Sequence, residues 1–122
     1  MQGSLNRFLE RYGVGPQSPD LKLLGRIARA YSNLPYENVT KILKSATQAA
    51  SEQKLRRTEE VLDDHLRWNT GGTCFSLCNA LSGILHACGF ESHIAMADMH
   101  YGANIHCAII VTISDRRYLI DP

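Results

Sequence analysis

The hydrophobic pattern changes period once, at Gly89, and that change limits the fold more than any other feature. Before Gly89, apolar residues recur three and four apart. Leu5, Phe8, Leu9 and Tyr12 form one set, and Leu21, Leu24, Ile27, Ala28 and Tyr31 a second. Val61, Leu62, Leu66 and Trp68 form a third, and Phe75, Leu77, Cys78, Leu81, Ile84 and Leu85 a fourth. Each set draws a stripe along a helix. After Gly89, Glu91 to Ala97 alternates, and Ile105 to Ile113 is rich in β-formers. Ser114-Asp115 turns the chain, and Arg117 to Ile120 begins a return strand. Helices first and strands later is the order of an α+β fold. The expectation is an N-terminal helical bundle followed by antiparallel β-strands. Residues 1–88 form the helical part and 89–122 the β part of a single domain or fragment.

Local signals place the boundaries. Gly13 and Gly15 stop the first helix. Ser18-Pro19-Asp20 supplies a capping hydroxyl, a first-turn proline and an acid at the positive end of the dipole. Pro35 ends the second helix. Residues 44–56 are polar and alanine-rich and read as a loop or a weak helix. Thr58-Glu59-Glu60 caps the next helix, residues 69–73 interrupt the pattern, and Gly89 sits at a left-handed C′ position. Residues 100–104 read as a turn. The chain stops at Asp121-Pro122, directly after a strand signal, so a fragment or the front of a larger protein is expected, with a natural short form as the alternative.

Composition excludes some partners. The 13 basic and 12 acidic residues leave a net charge of +1, which offers no footprint for nucleic acid or an anionic membrane. The longest apolar run, Cys107 to Val111, is too short to cross a bilayer. The N-terminal segment has charges where a signal peptide needs apolar residues, so a cytoplasmic location is expected. There the cysteines at 74, 78, 88 and 107 are free thiols. Cys74 and Cys78 share a helix face, but no second pair completes a structural zinc pattern, so no metal is expected.

Cys74 is the sharpest chemical signal. It follows Gly71-Gly72-Thr73 and opens an apolar helix. Amides and dipole at a helix start stabilise a thiolate, and the same amides suit a developing oxyanion. Gly72, Thr73 and Phe75 are therefore the candidates for oxyanion support or substrate binding. The plain alternative is a small buried hydrophobe, the role assigned to Cys78, Cys88 and Cys107. A thiol nucleophile needs a base and a group to orient it. His106 enters an apolar strand, where an imidazole is costly without partners. Asp121 ends the next strand, and antiparallel pairing brings the two into reach. A structural histidine and a turn aspartate are the alternatives. His65 and His86 read as surface residues. His93 and His100 flank the first strand, and His100 with Asp98 is the rival base and orienter.

Four segments together resemble the arylamine N-acetyltransferases. Leu34-Pro35-Tyr36-Glu37-Asn38-Val39 is similar to that family's Pro-Phe-Glu-Asn segment, and Gly71-Gly72-Thr73-Cys74-Phe75 to its nucleophile motif. Ile105-His106 is similar to its histidine strand, and Tyr118-Leu119-Ile120-Asp121 to its aspartate segment. The resemblance implies a cysteine-proteinase-like catalytic core whose C-terminal part is missing here. It implies a Cys74-His106-Asp121 triad that moves an acetyl group from acetyl-CoA to an arylamine or similar nitrogen through a cysteine thioester. Acetyl-CoA is then a cosubstrate, with no tightly bound cofactor. The departures are Thr70, where the family has arginine, with Arg67 as its substitute beside Glu37, and Pro122 after the aspartate. A transglutaminase-like enzyme acting on amides or peptides, and an inactive binding module of the same fold, are the competing readings.

Overall fold

A computed structural model describes residues 2–47 and 56–122. Among the described residues five helices precede three strands: α1 Gln2–Arg11, α2 Leu21–Tyr31, α3 Val39–Thr47, α4 Thr58–Trp68, α5 Cys74–Ala87, β1 Glu91–Met99, β2 Gly102–Ile113 and β3 Arg116–Ile120. The strands form an antiparallel sheet in the order β1-β2-β3. The α+β arrangement and the switch at Gly89 match the expectation.

The core lies between the helices and one face of the sheet. Phe8, Ile27, Val61, Leu62, Leu81, Ile84 and Leu85 come from the helices, and Cys107, Ile109 and Val111 from β2. Burying a side chain of this size stabilises the fold by roughly 1.5–3 kcal/mol. Alternation puts His106, Ala108 and Ile110 on the opposite face of β2.

Two cap assignments need correction, and a third reading is met in part. Asp20 rather than Ser18 caps α2, accepting from the Leu23 amide at 2.8 Å. Arg57 rather than Thr58 is the N-cap of α4, and its amide donates to Glu60 at 2.7 Å. The stretch read as a loop or weak helix begins inside a regular helix, since α3 runs to Thr47, and residues 48–55 lie outside the described residues. Periodicity missed α3 because the helix buries none of its residues: Val39, Ile42 and Leu43 are all exposed. It is held at its ends instead. Glu37 accepts from the Thr40 amide at 3.0 Å, and Lys44 reaches Glu60 on α4 at 2.7 Å.

Candidate active site

The loop that precedes Cys74 is zipped to the segment that carries Glu37. Gly72 donates to the Pro35 carbonyl at 3.2 Å, and Glu37 donates back to the Gly72 carbonyl at 2.9 Å, forming a parallel bridge between Tyr36 and Gly72. Glycine is required at 71 because a Cβ there would overlap the Pro35 carbonyl oxygen. At 72 a Cβ would press on Ser76 Cβ and on Arg56 Nη1.

Glu37 sits where this zipper meets α3. Its carboxylate accepts from Thr40 Oγ1 at 2.6 Å, from the Thr40 amide, and from the Gly71 amide at 3.3 Å. Partial burial works against the charged form, but these donors and the nearby Arg56 charge win, so the carboxyl lies below its usual range. The Gly71 amide is therefore a partner of Glu37. Arg67 is not; its guanidinium lies over Trp68. The arginine at this junction is Arg56, which is buried, and nothing in the sequence spacing marks it. Thr70, where the family carries arginine, leaves its buried hydroxyl without a partner.

Cys74 is the first residue of α5, and Thr73 caps the helix without a side-chain hydrogen bond. The amides of that first turn are thus not occupied by the cap side chain. Cys74 and Cys78 are buried on the α5 face that meets β2. The Cys78 thiol donates to the Cys107 carbonyl at 3.2 Å. Burial pushes the Cys107 thiol up, and its contact with Cys74 adds to the shift. Burial also raises Cys78, its hydrogen bond with Cys107 adds to the shift, and both thiols feel the charge of Asp121. Cys78 and Cys107 are fully buried as expected, whereas Cys88 at the end of α5 is only half-buried. Phe75 is 49% exposed.

His106 and Asp121 come together as the antiparallel register requires. Ile109 pairs with Ile120, so Asp121 lies across from the residues next to His106. His106 Nε2 donates to the Asp121 carboxylate, with contacts of 2.8 and 2.9 Å to its two oxygens. In a neutral imidazole that bond fixes the tautomer, with the lone pair on Nδ1. Cys107, which follows His106 on β2, is in contact with Cys74. Among the described residues no hydrogen bond joins Cys74 Sγ to His106.

The other histidines separate cleanly. His86, His93 and His100 are exposed. Asp98 accepts from the Asn104 amide at 2.9 Å and so pins the β1–β2 turn rather than His100. His65 overturns its surface reading, being only 1% exposed. Its Nδ1–H donates to the Thr70 carbonyl at 2.8 Å, and Nε2 accepts from Tyr12 at 2.6 Å. Desolvation holds its pKa below the usual value, with the Arg11 charge adding to that. Among the described residues no group of three or more His, Cys, Asp or Glu is placed to hold a metal ion, and no helix is long and apolar enough to cross a membrane.

A family profile described as N-acetyltransferase matches residues 20–122. No curated protein matches the chain. Among the solved structures that share its fold are three arylamine N-acetyltransferases. Arylamine N-acetyltransferase C from Bacillus anthracis has a TM-score of 0.66 at 20% identity, covering 99% of this chain and 48% of that one. The arylamine N-acetyltransferase from Salmonella typhimurium gives 0.71 at 22% identity, with 99% and 44% covered. One from Bacillus cereus, described as having a unique Cys-His-Glu catalytic triad, gives 0.67 at 21% identity, with 99% and 49% covered. The chain therefore spans about half the length of these structures. With the profile matched over most of the sequence and the fold shared end to end, the chain belongs to the arylamine N-acetyltransferase family.

Proposed function

We propose that this chain supplies the Cys74-His106-Asp121 triad of an acetyl transfer from acetyl-CoA to an arylamine or a related nitrogen acceptor. The observation that carries this reading is the His106–Asp121 pair, set beside a buried thiol cluster at the start of α5. His106 Nδ1 takes the Cys74 proton, and the thiolate attacks the thioester carbonyl of the cosubstrate. The carbon–sulfur bond to coenzyme A breaks, its thiolate leaves with the proton from His106, and Cys74 keeps the acetyl group. The acceptor amine then attacks that carbonyl, gives its proton to His106 and leaves as the amide, freeing Cys74. Asp121 holds the imidazole in the working tautomer and stabilises its cation. The amides of Gly72, Thr73 and Phe75 are the candidates for the carbonyl oxygen. Phe75 offers an exposed ring for a flat acceptor. Four free cysteines fit a reducing, cytoplasmic setting.

Intact mass spectrometry after exposure to acetyl-CoA tests the reading. The expected result is a gain of one acetyl group, mapped to Cys74 and discharged by an arylamine. Labelling that persists in Cys74→Ala, or none in the unsubstituted chain, would count against it.

A further inference from the structure

Arg56 lies outside every motif considered so far, yet its guanidinium is the most thoroughly enclosed charge among the described residues, with a side chain 3% exposed. Burying a guanidinium is costly unless each donor finds a partner, so its partners indicate what it holds. Nη1 donates to the Gly71 carbonyl at 2.6 Å and to Thr40 Oγ1 at 2.8 Å. Nη2 pairs with Asp64 Oδ2 at 3.0 Å on α4. The Arg56 carbonyl accepts from Asn79 on α5 at 3.3 Å. One residue thus ties together the start of α3, the middle of α4, the nucleophile helix and the loop that delivers Cys74.

We infer that Arg56 is a positioning residue for Cys74, fixing the Gly71-Gly72 loop through the Gly71 carbonyl and, by way of Thr40, the Glu37 carboxylate on the same loop's amide. Arg56 does not touch Glu37 directly; Thr40 Oγ1 accepts from Arg56 and donates to Glu37. The Gly71 peptide is therefore clasped on both sides, its carbonyl by Arg56 and its N–H by Glu37. A planar fork suits this arrangement and an ammonium does not, because lysine is a point charge on a flexible stem. The loop reaches Cys74 in three residues, so a slack Gly71 peptide is felt at the sulfur. A misplacement of an ångström at a reacting group is enough to cost a large factor in rate.

The inference rests on Cys74 being the reactive thiol, and the four cysteines allow both ideas to be tested in the full chain. Iodoacetamide at neutral pH, with peptide mapping over time, gives a rate for each thiol. In the unsubstituted chain Cys74 is expected to react fastest. Equal slow rates at all four would overturn the nucleophile reading and the positioning role with it. With Cys74 selective, Arg56→Lys is expected to slow Cys74 alkylation by about tenfold while Cys78 and Cys107 stay protected. Faster alkylation of Cys78 and Cys107 would show general loosening and overturn the positioning role, as would an unchanged Cys74 rate. Asp64→Asn guards against a misfolded lysine variant, because Asp64 is 43% exposed and changes only the outer partner. It is expected to slow Cys74 by about two- to threefold, and no effect there would also overturn the inference.

Discussion

The two halves of the candidate site are built differently. The nucleophile half is a closed junction: Pro35, Glu37, Thr40, Arg56 and Gly71 hold one another through backbone and side-chain bonds, beneath helices with a shared core. The base half is a single pair, with His106 28% and Asp121 53% exposed, carried on a hairpin. An enclosed network defines a position through many partners, whereas an open pair depends on one bond and on strand register. Substitutions in the first half should therefore act on stability and thiol geometry together. Those in the second should act on chemistry and leave folding nearly untouched.

Removing the thiol gives the largest effect. Cys74→Ala is expected to abolish acetyl labelling, and the small loss of buried volume should leave circular dichroism unchanged. Asp121→Asn comes next. Its loss removes the charge that orients and stabilises His106, and acetyl transfer should fall by about 100-fold or more with little change in melting temperature. A fall in melting temperature as large as that of a junction variant would break the contrast between the halves. Gly71→Ala supplies that junction variant. The added methyl must displace the Pro35 carbonyl, at a cost of about 3 kcal/mol in a denaturant titration.

Much of this division was legible in the sequence, for reasons that differ by residue. Periodicity exposed the core helices because their stripes are buried. It failed at α3, whose apolar residues face outward. Cys74, His106 and Asp121 could be placed because a glycine-flanked helix start and a two-strand hairpin are local features with fixed geometry. His65 was misread from its charged neighbours, although Thr58, Val61, Leu62 and His65 make a complete buried stripe at helical spacing. Arg56 left no such signal, since its role depends on contacts with Thr40, Asp64 and Gly71 that the fold alone creates.

Acid should separate the halves further. The His65 pKa is lowered by burial, so the unfolded chain binds the proton more strongly. The stability this contributes is present above the ordinary value of 6.5 and is lost as pH falls from there toward the lower folded value. Glu37 is also lowered, so its contribution holds above 4.5 and is lost as pH falls through its folded value. Melting temperature is therefore expected to drop in two stages, first below 6.5 and again below 4.5. His65→Gln should remove the first stage only. A first stage that survives this change would mean that another group controls it.

The smallest expected effect lies at the tip of the hairpin that carries the base half. Ser114 and Asp115 both have positive φ, 47° and 65°, the conformation of a two-residue type I′ turn. Serine is poorly suited to it and aspartate only tolerates it, whereas Asn-Gly is the favoured pair, because glycine adopts this backbone without strain from a Cβ. Glycine also frees the unfolded chain, which offsets part of the gain. The double change Ser114→Asn, Asp115→Gly is expected to raise stability by about 0.5–1 kcal/mol in denaturant titration. The register from Ile113↔Arg116 to Ile109↔Ile120 is set by strand pairing along the ladder, so His106 and Asp121 should keep their relation. Acetyl transfer should therefore not change. A turn that altered activity more than stability would mean that the base half is positioned by its hairpin tip, and the contrast with the closed junction around Arg56 would have to be redrawn.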